Sequence, residues 1–212
     1  MIVAIDGPAG VGKSSIAKNI SLQCGFYYVN SGNYYRAIVL EHLNNDRDPF
    51  DEMNLINTAE TVEMHLKGGR LFLNGNDVED LLHTDQIDVH VARISAIIPI
   101  RKIVNKALRI SAEFNNIIVE GRDITTVVFP QADLKFYFDA SIEIRAKRRY
   151  KQQDTMLSLN EIEQEIEKRD KIDKSKTFGA LMVSDDASYI DTSYLTIDEV
   201  CEKVVQKIKD LR

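Results

Sequence analysis

Gly7-Pro8-Ala9-Gly10-Val11-Gly12-Lys13-Ser14 follows the apolar run Ile2-Val3-Ala4-Ile5 and precedes Ile16, Ala17 and Ile20, which sit at helical spacing. The octet satisfies the pattern G-x-x-x-x-G-K-[ST] in full, and strand, glycine loop and helix N-terminus stand in the order the pattern needs. Glycines let backbone wrap a phosphate, while exposed N–H groups and the positive end of the helix dipole attract the anion. Lys13 is then placed to reach the outer phosphates and Ser14 to ligate Mg²⁺. The stretch predicts a nucleoside triphosphate site on an α/β fold.

The chain has 212 residues, 44% hydrophobic and 28% charged, enough for one full core with an insert or two. A formal net charge of −6 argues against long nucleic acids or anionic membranes as partners, so any polyanion must meet a local basic cluster. No stretch approaches the roughly 18 apolar residues of a membrane span. The first apolar run leads straight into the glycine loop and leaves no room for a signal peptide, so the expected compartment is the cytoplasm. Cys24 and Cys201 have no metal or framework spacing, and the histidines are scattered, which argues against a zinc site.

Five short apolar runs read as buried strands of a mostly parallel sheet with helices on both faces: Ile2–Ile5, Phe26–Val29, Ile117–Glu120, Leu134–Phe138 and Tyr189–Ile190. Gly25 reads as the stop of the helix after the loop, and Thr196-Ile197-Asp198-Glu199 as the capping box of the last helix. Two stretches break the alternation. Between about residues 56 and 80 the period changes to two, with turns at Gly68-Gly69 and Asn74-Gly75, which predicts a small antiparallel meander. Helices through Ile87, Val91 and Ile94, then Val104 and Leu108, follow it. Residues 150–177 hold a second capping box, Ser158-Leu159-Asn160-Glu161, and a dense run of charge placed where a lid would close over phosphates. The expected division is a core of residues 1–37, 101–150 and 178–212, an insert of 38–100 and a lid of 151–177.

No guanine-reading Asn-Lys-x-Asp and no Asp-x-x-Gly switch after the third strand is present, which leaves a small-substrate kinase ahead of a GTPase. The arginines describe the acceptor. Arg36 follows the second strand, Arg101 lies in the last helix of the insert, and Arg122 follows the third strand in Glu120-Gly121-Arg122-Asp123. Arg145, Arg148 and Arg149 lie on the helix after the fourth strand, and Arg169 lies in the charged run. Strand carboxyl ends face one crevice in such sheets, so these guanidiniums imply a second, phosphate-bearing substrate.

Over nearly its whole length the chain is similar to bacterial cytidylate kinases, which phosphorylate CMP and dCMP with ATP. The likeness rests on Gly7–Ser15, Ser31-Gly32-Asn33-Tyr34-Tyr35-Arg36, Leu73–Val78, Gly121–Pro130, Asp139-Ala140-Ser141, Arg145–Arg149, Lys168-Arg169-Asp170 and Ile190–Ser193. It implies that Gly7, Pro8, Ala9, Gly10, Val11, Gly12, Lys13, Ser14, Ser15 and Arg149 hold ATP. Ser31, Tyr35, Arg36, Arg101, Arg122, Asp123, Arg169, Asp173 and Lys176 would hold CMP. Arg36 and Arg122 would take its phosphate, and Arg101 and Asp123 would read the base. Lys13, Arg122, Asp123 and Arg145 form the implied catalytic group. Mg²⁺ is the implied cofactor, on Ser14 and through water on Glu120. The substrates are small molecules, and a monomer is expected.

The chain departs from the family pattern at Asn30 (Asp there), Thr125 (Gly), Ala92 (Ser, nine residues before Arg101), and Ile172 and Lys176 (both Arg). Ala92 bears on CMP over UMP, with Ser95 one turn later as the candidate replacement. Ile172 and Lys176 bear on lid closure. The alternatives are a kinase relaxed toward UMP or acting on another small acceptor, and a nucleotide-binding regulatory module. The presence of Lys13, Ser14 and the arginines argues against the last.

Overall fold

A computed structural model describes residues 1–113, 115–152 and 157–212; residues 153–156 of the charged segment lie outside that set. In chain order the elements are β1 (Ile2–Asp6), α1 (Lys13–Cys24), β2 (Tyr27–Asn30), α2 (Ser31–Asn44), α3 (Glu52–Thr61), β3 (Met64–Lys67), β4 (Arg70–Leu73), β5 (Asn76–Asp77) and α4 (Asp85–Ile94). They continue with α5 (Ile98–Ala112), β6 (Ile117–Gly121), a π-helical turn (Ile124–Val128), β7 (Leu134–Asp139), α6 (Ile142–Gln152), α7 (Leu159–Ser175), β8 (Ser188–Asp191) and α8 (Ile197–Asp210). The chain divides into two compact units, residues 1–28 with 116–212, and residues 29–115.

The larger sheet has the order β2-β6-β1-β7-β8, with β1 parallel to β6 and β7, and β7 parallel to β8. All five expected strands are present with ends shifted by about one residue. A strand covered on both faces is apolar at every position rather than alternating, and Val3, Ala4 and Ile5 are fully buried. Ile16, Ala17 and Ile20 of α1 and Val200, Val204 and Ile208 of α8 join Phe136 and Phe138 in one apolar cluster. Removing either phenyl ring would cost about 3–5 kcal/mol. α1 stops at Gly25, whose φ of 68° is left-handed, and α7 and α8 both begin with the expected capping boxes.

The second unit carries an antiparallel sheet of order β3-β4-β5, with Met64 opposite Leu73 and both buried. The meander therefore exists but begins later than the sequence pattern suggested. Residues 52–61 are helical instead, because Asp51 caps the segment by accepting from the N–H of Asn54 at 3.0 Å and Leu55, Thr58 and Ala59 share a buried face. Asn30 caps α2 in the same way, accepting from the N–H of Gly32 at 2.8 Å.

Candidate active site

The glycine loop joins β1 to α1, and its shape is forced. Gly7 has φ 154°, and a Cβ there would stand 2.2 Å from the carbonyl oxygen of Phe138, so no side chain fits. Lys13 folds back over the loop, its Nζ donating to the carbonyls of Gly7 and Pro8 at 2.8 Å each. Burial pushes its ammonium down to about 7; positive Arg122 and Arg169 push the same way, and Glu120 and Asp6 oppose them. Arg122 and Arg169 thus add positive charge at Lys13, and Glu120 and Asp6 add negative charge.

Ser14 Oγ donates to Glu120 Oε1 at 2.5 Å, and the Tyr28 hydroxyl donates to the same oxygen at 2.8 Å. Glu120 is buried on β6. A hydroxyl and a carboxylate are hard oxygen donors, and no group of three or more His, Cys, Asp or Glu among the described residues is placed to hold a metal. That donor set suits Mg²⁺, which takes one or two protein ligands and completes its shell with water and phosphate.

α6 lies against the loop through its arginines. Arg145 donates from Nε to Ala140 O at 3.0 Å, and from Nη1 to Ala9 O at 3.1 Å and to Asp170 Oδ2 at 2.6 Å. Arg148 donates to Val11 O and to both oxygens of Thr192, which makes it a brace for the loop. Arg149, the next residue, is half-buried. On the other flank Arg122 Nε donates to Asp173 Oδ2 at 2.9 Å and Lys176 Nζ to Asp173 Oδ1 at 2.8 Å. Burial works against the Asp173 charge, but Arg122 and Lys176 hold its carboxyl below the usual carboxylate range. Asp123 is buried beside Arg122.

Asp6, at the end of β1, is fully buried and accepts from the N–H of Ile124 at 2.9 Å, the N–H of Thr125 at 2.7 Å and the Thr125 hydroxyl at 2.6 Å. Sequence reasoning missed Asp6, Tyr28 and Asp170. A lone carboxylate closing an apolar strand just before the loop is the signal that could have found the first.

In the second unit, Ser31 opens α2 and Tyr35 is buried one turn on. Arg36 is ion-paired with Asp88 of α4 at 2.8 Å, a partner the sequence did not suggest. Gly32 makes room for that guanidinium, since a Cβ would lie 2.6 Å from Arg36 Nη1. Arg101 is buried with Nη1 donating to the Ser95 carbonyl at 2.5 Å, and the Ser95 hydroxyl donates to the Ala92 carbonyl at 2.9 Å.

Residues 3–210 match the family model described as Cytidylate kinase. A cytidylate kinase of Borrelia duttonii is 43% identical over 97% of this chain and 97% of its own length. One from Borreliella burgdorferi, cytidylate kinase 1, is 42% identical over 98% of this chain and 96% of its own. Among solved structures, a shikimate kinase from Bacteroides thetaiotaomicron has a TM-score of 0.52 at 11% identity, covering 100% of this chain and 97% of its own. An uncharacterised protein from Eubacterium ventriosum gives 0.53 at 11% identity, covering 99% and 98%. These two show the α/β fold alone.

Proposed function

The chain belongs to the cytidylate kinase family and is a CMP kinase, an ATP-dependent phosphotransferase; from that premise we propose how its residues divide the reaction. ATP occupies the loop Gly7–Gly12 with Lys13, Ser14 and Ser15, and Arg149 attends it from α6. CMP or dCMP is taken by Ser31, Tyr35, Arg36, Arg101, Arg122, Asp123, Arg169, Asp173 and Lys176. The insert 38–100 binds the monophosphate, and 151–177 acts as the lid. The enzyme works as a cytoplasmic monomer on small molecules, a reading that rests on its acidic composition and on the absence of any large exposed apolar stripe in the sequence.

A phosphate oxygen of CMP attacks the γ-phosphorus of ATP in line, the bond to the β–γ bridging oxygen breaks, and ADP and CDP result. The acceptor's second ionisation lies near 6, so it is already anionic at neutral pH and needs no strong general base. Lys13, Arg122 and Arg145 stabilise the charge spread over the transferring group, and the lid excludes water. Ser14, with Glu120 through a water, would hold Mg²⁺, which when bound would neutralise charge on the phosphate oxygens. Asp123 and Arg101 offer an acceptor and donors to the amino and carbonyl edge of cytosine.

The observation that carries this reading is the Lys13 ammonium folded over the carbonyls of Gly7 and Pro8, next to Ser14 on the Glu120 carboxylate. The test is ATP-dependent diphosphate formation with CMP, dCMP, UMP, AMP, GMP and shikimate. CMP and dCMP should exceed the rest by about tenfold or more. Equal turnover of UMP would overturn the base-reading roles of Arg101 and Asp123.

A further inference from the structure

Among the described residues, every hydrogen bond drawn to the buried Asp6 carboxylate comes from one short segment 118 or 119 residues away. That segment directly follows Arg122 and Asp123 and forms the π-helical turn Ile124–Val128. The turn's own bonds begin with the N–H groups of Val127 and Val128 on the Asp123 carbonyl, so the amides of Ile124 and Thr125 must be satisfied from outside it. Asp6 supplies that acceptor. The residue before the phosphate loop is thereby tied to the residues after Arg122-Asp123.

A carboxylate with no exposure is unfavourable to keep ionised, and burial pushes Asp6 up to about 6 against the pull of its three hydrogen bonds. Asp123 raises it further, while Lys13 and Tyr137 lie within its field. Thr125 provides two of the three donors, and its hydroxyl makes the shortest contact. We propose that Thr125, through its hydroxyl on Asp6, is a positioning residue that sets Arg122 and Asp123 at the level of the phosphate loop and so governs acceptor binding. The proposal rests on the roles given above to Arg122 and Asp123.

The experiment compares Thr125→Val, Thr125→Ser and Arg122→Ala in steady-state kinetics, with KM measured separately for CMP and ATP, and with thermal unfolding followed alongside. Thr125→Val should raise KM for CMP by about tenfold, the loss of one charge-assisted hydrogen bond, and leave KM for ATP within about twofold. Thr125→Ser should restore the parent value. Thr125→Ala removes the hydroxyl with no added bulk and is read the same way if the Val variant folds poorly. An unchanged KM for CMP in the Val and Ala variants would overturn the proposal, and so would a joint rise of both KM values that Ser does not reverse. Arg122→Ala separates the two levels. If it too leaves KM for CMP unchanged, the reading of Arg122 fails; if it alone raises that KM, only the role of Thr125 fails.

Discussion

Arg145 Nη1 lies 2.6 Å from Asp170 Oδ2, with the two side chains 5% and 10% exposed. The pair links the helix that braces the phosphate loop to the helix that follows residues 153–156. Among the described residues the other Asp170 oxygen, which is buried, has no hydrogen-bond partner. A buried pair with one unsatisfied oxygen is a poor stabilising device, because desolvation offsets much of the attraction. On the division of the reaction proposed above, its part is to hold a guanidinium for a phosphate to claim.

Asp170→Asn should therefore destabilise the nucleotide-free protein by about 3 kcal/mol, the cost of leaving Arg145 buried without its counter-charge. Bound ATP supplies that counter-charge, so the melting-temperature gap between variant and parent should narrow when saturating ATP is added. A gap of the same size with and without ATP would show that Arg145 does not turn toward the nucleotide.

Asp173 stands to Arg122 and Lys176 as Asp170 stands to Arg145, with its carboxyl held low by both cations. Arg122→Lys keeps the charge but loses the planar fork that matches a phosphate. It should lower kcat/KM for CMP by about tenfold to a hundredfold while KM for ATP moves far less. Steady-state kinetics with each substrate varied in turn checks this, and an equal rise in both KM values would count against an acceptor role.

The strands were legible because a two-sided buried strand leaves an unbroken apolar run, as Ile2–Ile5 and Leu134–Phe138 do. The phosphate loop was legible because its chemistry is local, with every essential residue within one octet. Partners set by distance in space were not. Nothing near Arg36 in sequence announces Asp88, and nothing near Arg145 announces Asp170. The helix over Glu52–Thr61 was missed because its buried face is thin, Leu55, Thr58 and Ala59, and its one clear mark is the cap at Asp51. Ile124-Thr125-Thr126-Val127-Val128 has the β-branched composition of a strand. It turns into a π-helical loop because Asp6 captures its first two amides.

Lys13 gives a pH-dependent prediction with a definite sign. With its pKa lowered from 10.5 to about 7, the nucleotide-free protein holds Lys13 largely neutral above that value, whereas the unfolded chain stays protonated to about 10.5. Stability against a Lys13→Met variant should therefore rise with pH between those limits, since the unfolded state binds more protons there. Binding of triphosphate brings the opposite charge and should restore the proton. Calorimetric titration of ATP at about pH 8, in buffers of different ionisation enthalpy, should show uptake approaching one proton for the parent and little for Lys13→Met. No buffer dependence in the parent would mean that Lys13 is already charged before ATP arrives.

Base choice offers the last prediction, at Ala92. The Ser95 hydroxyl donates to the Ala92 carbonyl at 2.9 Å, and the Ser95 carbonyl receives Arg101 Nη1 at 2.5 Å. If Arg101 reads the base as proposed, Ser95 contributes through its carbonyl, by orienting Arg101, while its hydroxyl closes the end of α4. Ala92→Ser introduces a new hydroxyl one turn earlier, where the family pattern carries one. A site that hydrogen-bonds the distinguishing edge of a substrate discriminates more sharply than one that only fits its shape. Ala92→Ser should raise the ratio of kcat/KM for CMP over UMP by about tenfold, and Ser95→Ala should leave that ratio within about twofold. Competition of the two monophosphates for limiting ATP reads the ratio directly. If Ser95→Ala collapsed it while Ala92→Ser did nothing, the hydroxyl at position 95 would be the base-reading group, and the assignment of that role to Arg101 and its carbonyl support would fall.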